Sequence, residues 1–270
     1  MSILASIILG IIQGLTEFLP ISSSGHIAIV NHFLNSGFEA ENYGLMTIVL
    51  HAATAISTIY VFRKDIKGII RGVYSKDNNS TDFSIKILLS MIPASIVGFF
   101  WEDNIESIAD NYKEMIIYFV GSMLFVTALL LLLADKAKTN KNNIGFVDSI
   151  IIGVSQAIAL LPGISRSGAT ISTCVLLGLD KEKSARFSFL MVVPLILGKI
   201  TKDIFSGRID FSSAESLPLL FGFISAFIVG VISCKWMITI VKNSRLRYFS
   251  YYCFFLGLTI ILFEKYSFLL

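Results

Sequence analysis

Long apolar runs separated by short polar stretches dominate the chain. A helix needs about 20 residues to cross a hydrocarbon core of about 30 Å, and six runs reach or approach that length. These runs are residues 44–62, 86–101, 115–134, 187–205, 217–241 and 248–268. The pattern predicts an all-α polytopic membrane protein with about six spanning helices, forming a single transmembrane domain over residues 1–270.

Two further apolar stretches, 2–30 and 148–180, are each interrupted in the middle by a cluster of Pro, Ser and Gly. A turn at membrane depth leaves backbone groups without partners inside the helix, and lipid cannot supply any. Such a turn must face protein or a water-filled cavity. The two stretches therefore predict re-entrant helical hairpins whose broken tips meet in the interior.

The two hairpins carry an internal repeat at an offset of 143 residues. The matched pairs are Gly10 and Gly153, Gln13 and Gln156, Ile21 and Ile164, Ser22 and Ser165, Ser24 and Ser167, and Gly25 and Gly168. The basic loop 63–86 is expected on the cytoplasmic side and the acidic loop 102–114 outside, which gives the helices that follow the two copies opposite senses. We therefore expect inverted-topology repeats, with halves of approximately 1–135 and 144–270 and a site where they meet.

Composition agrees with a membrane protein and excludes several other classes. Hydrophobic residues make up 54% of the chain and charged residues 15%, against about a quarter charged in soluble domains. The net charge is only +3, and the basic residues lie in short clusters between apolar runs, so no nucleic-acid partner is expected. The three cysteines fall inside apolar segments without metal-type spacing and are interpreted as small apolar residues.

The first hairpin contains the sequence QGLTEFLPISSSGH from Gln13 to His26. It places a carboxylate (Glu17), an imidazole (His26) and three hydroxyls in an otherwise apolar stretch. Ionisable groups at membrane depth are costly, so they point to a functional site. The alternative is that Glu17 and His26 pair with each other and hold the hairpin together.

The second hairpin contains LLPGISRSGATIS from Leu160 to Ser172, with Arg166 in the position that Ser23 holds in the first copy. A guanidinium flanked by hydroxyls, in a glycine-bearing turn that opens a helix, is suited to phosphate oxygens. The alternative is that Arg166 is a structural partner for Glu17 across the repeat interface. Both interpretations can hold in the resting state.

Together these residues match the needs of phosphoryl-ester hydrolysis: donors for the developing charge, a proton carrier and a nucleophile. A transporter or flippase for a phosphorylated lipid or anion is the second hypothesis, since inverted repeats with broken helices are typical of transporters. Such a pocket would need only the donors, so Glu17 and His26 favour an enzyme. His51, in the run 44–62, is interpreted as a helix-packing residue, and tyrosines near segment ends as interfacial anchors.

Both motifs, with the chain length and the spacing of the apolar runs, closely resemble the undecaprenyl-diphosphate phosphatase family of bacitracin-resistance proteins. The resemblance implies hydrolysis of undecaprenyl (C55 polyprenyl) diphosphate to the monophosphate, which recycles the cell-wall lipid carrier, at the outer face of the bacterial cytoplasmic membrane. It implies catalytic roles for Glu17, His26, Ser23 and Arg166. Substrate-binding roles are expected for Gln13, Ser22, Ser24, Gly25, Gly163, Ser165, Ser167, Gly168 and Thr170.

One departure concerns the family variant with two glutamates four residues apart, because Gln13 stands where the first would be. A divalent cation, Mg²⁺ or Ca²⁺, is expected at Glu17 with substrate oxygens and water completing its shell. Two nucleophiles stay open: His26, with Glu17 orienting it or holding the metal, or Ser23 with His26 as its base. The oligomeric state is also open, with a homodimer as one candidate.

Overall fold

The computed structural model describes residues 2–34, 40–101, 115–205, 216–242 and 245–267. Within these ranges the chain forms eleven α-helices and no named β-strand. In chain order they are α1 (Ile3–Thr16), α2 (Ser23–Leu34), α3 (Ala40–Val61), α4 (Arg63–Tyr74), α5 (Asn78–Phe100), α6 (Ile116–Lys136), α7 (Phe146–Ile158), α8 (Arg166–Leu176), α9 (Lys181–Phe205), α10 (Ser216–Lys242) and α11 (Leu246–Ser267).

Six of these helices, α3, α5, α6, α9, α10 and α11, are long and apolar enough to cross a membrane. They correspond to the six apolar runs, so the predicted all-α polytopic membrane protein is confirmed. Many large apolar side chains on them point outward, including Leu88, Phe99, Ile232 and Phe255, each more than half exposed. An exposed apolar surface of this extent fits a lipid environment. The acidic loop 102–114 lies outside the described residues.

Two helices begin earlier than the apolar runs suggested. Helix α5 starts at Asn78 because the side chain of Asp77 accepts a hydrogen bond from the Ser80 amide at 2.9 Å and caps the first turn. Helix α9 starts at Lys181, after a polar turn at Asp180 whose carboxylate accepts from the amides of Glu182 and Lys183. Polar caps extend these helices beyond their apolar portions, which a hydropathy pattern alone does not report.

The basic segment 63–86 is largely helical, where the sequence suggested only a loop. In helix α4, Ile66 and Ile69 pack against the core, while Lys67 and Arg71 lie on the exposed side. Asp65 pairs with Arg186 of α9 at 2.5 Å and ties this helix to the bundle. An amphipathic helix at this position fits the boundary between membrane and water.

The short helices α1 and α7 each pack against one spanning helix at glycine positions. Gly14 of α1 lies against α10, where an added Cβ would come within 2.8 Å of the Ala226 carbonyl oxygen. Gly153 of α7 lies against α5, where an added Cβ would come within 2.5 Å of the Ser90 carbonyl oxygen. Small residues allow this close backbone approach in membrane helices. These contacts set the distances between α1 and α10 and between α7 and α5.

Helix α6 buries one face, which carries Ile117, Val120, Leu124 and Leu131. It packs against α11 on one side and against α8 and α2 on another. All three cysteines are buried and free, which confirms their interpretation as small apolar residues. The prediction that the hairpins are re-entrant and the halves inverted stays a prediction.

Candidate active site

The first hairpin turns between Glu17 and Ser22, as the Pro/Ser cluster predicted. Helix α1 ends at Thr16 and α2 begins at Ser23. Ser22 adopts φ +70°, a left-handed conformation that costs a non-glycine residue about 1–3 kcal/mol. Its hydroxyl accepts a hydrogen bond from the Gly25 amide at 3.1 Å. This bond caps α2 and orients its first turn, which carries Ser23 and His26.

The second hairpin turns between Ala159 and Ser165. Gly163 has φ +95°, and a Cβ there would come within 2.7 Å of the Val120 carbonyl oxygen, so the turn requires glycine on both counts. Ser165 caps α8 by accepting from the Gly168 amide at 3.1 Å, as Ser22 does in the first copy. The Ser165 amide donates to Thr127 of α6 at 3.0 Å. The second tip is thus anchored to α6.

The two tips touch each other. The Ser167 hydroxyl donates to the Leu19 carbonyl oxygen at 3.2 Å. A Cβ added to Gly25 would lie 3.4 Å from the Cα of Gly163. A Cβ added to Gly168 would likewise lie 3.4 Å from the Cβ of Pro20. The structure therefore brings the two predicted motifs together, although they are far apart in the chain.

Glu17 accepts hydrogen bonds from side chains of both hairpins. It is only 8% exposed, and its Oε2 accepts from Gln13 Nε2 at 3.0 Å and from the Ser23 hydroxyl at 2.8 Å. Its Oε1 accepts from Nη2 of Arg166 at 2.5 Å. The contact agrees with the alternative in which Arg166 is a structural partner for Glu17 across the hairpins. Charge-assisted hydrogen bonds of this kind allow a carboxylate to stay ionised in an apolar interior.

Arg166 uses only one of its terminal nitrogens on Glu17. The other, Nη1, is buried and has no partner among the described residues. Thr170, one turn further along α8, bonds to the Arg166 carbonyl at 2.9 Å and to the Ser188 hydroxyl at 2.7 Å. Its hydroxyl is therefore engaged within the protein, whereas Arg166 retains a donor for a ligand.

His26 does not contact Glu17. Its Nδ1 lies 2.7 Å from the Ser22 carbonyl oxygen and its Nε2 lies 2.7 Å from the Tyr252 hydroxyl, with the two rings parallel. Because a carbonyl only accepts, Nδ1 carries the proton, so Nε2 accepts from Tyr252. The alternative in which Glu17 and His26 pair with each other is wrong.

Sequence reasoning missed the role of Tyr252, because tyrosines near segment ends are expected to be interfacial anchors. No local pattern links Tyr252 to a histidine 226 residues away. His51 was anticipated correctly: its Nδ1 lies 2.8 Å from the Thr47 carbonyl oxygen one turn earlier in α3, as expected of a helix-packing residue.

A divalent cation at this site would have the oxygen atoms of Glu17 and Gln13 as its protein ligands. No group of three or more His, Cys, Asp or Glu side chains that could cage a metal occurs in the described part of the chain. Gln13 is fully buried, and its Oε1 has no partner there while its Nε2 bonds to Glu17. A carboxylate and an amide oxygen are ligand types that Mg²⁺ and Ca²⁺ accept, but two such groups do not form a closed protein cage.

The chain was compared with known protein families. The model of the bacitracin resistance protein BacA family matches residues 6–259. The chain belongs to this family. The BacA-family relatives include the undecaprenyl-diphosphatases of Christiangramia forsetii, 55% identical over 264 residues, and of Bacteroides fragilis, 47% identical over 261. Those alignments cover 97% and 95% of this chain, and 98% and 96% of the relatives. The undecaprenyl-diphosphatase of Methanococcus vannielii is 39% identical over 260 residues, covering 95% of this chain and 98% of the relative.

Proposed function

We propose that this protein is an integral-membrane phosphatase that hydrolyses undecaprenyl (C55 polyprenyl) diphosphate to the monophosphate and inorganic phosphate. This activity recycles the lipid carrier of cell-wall synthesis and confers bacitracin resistance. The observation that carries the proposal is the buried Glu17 carboxylate, which accepts from the Ser23 hydroxyl at 2.8 Å and from Arg166, whose Nη1 is left without a partner among the described residues. The names of the relatives, undecaprenyl-diphosphatase, support the same substrate.

In the proposed mechanism, Ser23 is the nucleophile and Glu17 its proton acceptor. The Ser23 oxygen bonds to the terminal phosphorus as the anhydride bond breaks, and its proton passes to Glu17. Undecaprenyl monophosphate leaves, and water then hydrolyses the phosphoserine to release orthophosphate. Arg166 meets the negative charge that develops on the phosphoryl oxygens. The contact between Ser23 and Glu17 supports this route over one in which His26 is the base.

His26 is given a supporting role in this scheme. Its ring is held between the Ser22 carbonyl and the Tyr252 hydroxyl, so it fixes the first turn of α2 against α11. In that position it keeps the Ser23 hydroxyl aimed at Glu17.

A divalent cation, Mg²⁺ or Ca²⁺, would be held by Glu17 and by the Oε1 of Gln13. When bound it supplies positive charge to the diphosphate oxygens. We place the protein in the bacterial cytoplasmic membrane with its active site facing outward, on the basis of the basic segment 63–86. A homodimer is compatible with this assignment, and the diphosphate-bearing lipid is the proposed partner.

The first test is phosphate release from undecaprenyl diphosphate by the purified protein in detergent, with added Mg²⁺ or Ca²⁺ and with a chelator. We expect the wild type to release phosphate, Glu17→Ala to be reduced to background, and chelator to inhibit. A folded wild type that binds the lipid but releases no phosphate would instead favour transport. Activity that survives the chelator unchanged would remove the metal from the proposal.

A second test separates Ser23 from His26. We expect Ser23→Ala to lose about 10³-fold or more in kcat, since the nucleophile itself is removed. Tyr252→Phe should be affected least, because it removes only the hydrogen bond to Nε2 of His26. His26→Gln should be affected more than Tyr252→Phe but less than Ser23→Ala, because it disturbs the contact with the Ser22 carbonyl as well. A phosphorylated protein trapped by rapid acid quench in the wild type, and absent in Ser23→Ala, is the direct readout. Full loss in His26→Gln with normal turnover in Ser23→Ala would reverse the assignment.

A further inference from the structure

The two hairpins have hydrogen-bond donors at corresponding positions, but only the first hairpin has a carboxylate between them. In the first, Gln13 and Ser23 both donate to Oε2 of Glu17. At the offset of 143, the corresponding residues of the second hairpin are Gln156, Arg166 and, in place of the glutamate, Leu160. The second hairpin therefore keeps two hydrogen-bond donors and lacks the carboxylate that they would bind.

Both donors of the second hairpin are left without a partner. Gln156 is fully buried, and neither its Nε2 nor its Oε1 bonds to any described residue. The Nη1 of Arg166 is likewise buried and unpaired, although Nη2 is held by Glu17. An unsatisfied buried polar group is destabilising, and a membrane interior offers no bulk water to satisfy it. Gln156 Nε2 and Arg166 Nη1 are therefore two buried donors that an added acceptor would satisfy.

The turns of the two hairpins have the same hydrogen bonds at corresponding residues. In each copy the capping serine accepts from the glycine amide three residues on at 3.1 Å. In each copy the same serine hydroxyl lies 3.3 Å from that of the serine two residues on. The two capping turns therefore share one local geometry, and the repeat places Gln156 and Arg166 at the sequence positions that correspond to Gln13 and Ser23.

We propose that a phosphate oxygen occupies, in the second hairpin, the place that the Glu17 carboxylate occupies in the first, accepting from Nε2 of Gln156 and Nη1 of Arg166. Gln156 is then a phosphate-binding residue, and the ligand is the diphosphate of the substrate or the orthophosphate product. The planar guanidinium suits this arrangement because its two Nη atoms can serve Glu17 and the ligand at the same time. The identity of the anion rests on the proposed function, but its binding can be measured without hydrolysis.

The probe is inorganic phosphate, measured as the thermal stabilisation of the purified protein and as competitive inhibition of phosphate release. We expect Gln156→Leu to weaken phosphate binding about 10- to 100-fold and to raise KM, because a hydrogen bond to a charged group is lost. Without phosphate its melting temperature should equal or exceed that of the wild type, since the removed atoms have no partner. Ser233→Ala is the matched control, because Ser233 is also a buried hydroxyl without a partner and lies on α10.

A second variant tests the same proposal by adding a carboxylate that would compete with phosphate. Leu160→Glu places a carboxylate where the first hairpin has Glu17, and we expect it to bind Gln156 and Arg166 and to abolish stabilisation by phosphate. Leu160→Gln, of similar size and without charge, should lose far less. This pair decides the question even if Gln156→Leu does not fold.

Unchanged phosphate affinity in Gln156→Leu, together with a raised melting temperature, would mean that Gln156 is only an unpaired buried amide. Unchanged stabilisation by phosphate in folded Leu160→Glu would overturn the proposal equally. These outcomes are distinct from failure of the proposed function, in which the wild type itself would release no phosphate from the lipid.

Discussion

Arg166→Ala is expected to reduce turnover by about 10²–10³-fold or more, the loss typical of removing one donor to a developing anion. It should also reduce stability, because it leaves the Glu17 carboxylate buried and without its charged partner, a change that costs about 3–5 kcal/mol. Phosphate release and the melting temperature in detergent measure the two effects separately.

Two further variants separate the role of Arg166 in the fold from its role in turnover. In the double variant Arg166→Ala with Glu17→Gln, no unpaired charge remains, so the melting temperature should recover while activity should not. Arg166→Lys should restore part of the stability and little turnover, because an ammonium cannot present a planar fork to Glu17 and to phosphate together. An active Arg166→Ala protein would contradict the assignment of this residue.

Gly14→Val is expected to lower both the stability and the turnover of the protein. A Cβ at position 14 would lie 2.8 Å from the Ala226 carbonyl oxygen and 2.9 Å from the Gly230 amide nitrogen, so α1 must move away from α10. Overpacking of this kind costs about 1–3 kcal/mol or more. Because Glu17 follows one turn later, turnover should fall along with the melting temperature.

Gly198→Ala is the matched control for this substitution. No atom lies within 4 Å of an added Cβ at position 198, and the residue is inside helix α9. Alanine should be neutral or slightly stabilising there, by up to about 1 kcal/mol. If Gly14→Val kept the wild-type melting temperature and activity, the close approach of α1 to α10 would not be what positions Glu17.

Part of the site could be predicted from the sequence because its determinants are local. A Pro/Ser/Gly cluster in an apolar stretch breaks a helix wherever it occurs, so the tips fall where the sequence placed them. The pairing of Glu17 with Arg166 could also be anticipated, since a lone carboxylate and a lone guanidinium in an apolar interior require each other. Repetition of the motif indicated that the two tips belong to one site.

The remaining contacts depend on how the helices pack, and no local pattern encodes that. Tyr252 contacts His26 only because α11 lies beside the first hairpin. Helix α4 was missed for a different reason: its charged residues outweigh its isoleucines in a hydropathy profile, although they lie on separate faces.

The ion pair between Glu17 and Arg166 cannot form until most of the chain has been synthesised. The two residues are 149 positions apart, so the first hairpin leaves the ribosome well before its partner exists. At a synthesis rate of about 5–20 residues per second, roughly 7–30 s pass between the synthesis of Glu17 and that of Arg166. During that interval the nascent N-terminal half carries an uncompensated charge that disfavours its stable insertion in lipid. Truncated chains ending before Arg166 should therefore be short-lived in the cell, and co-expression of the missing half should protect them from proteolysis.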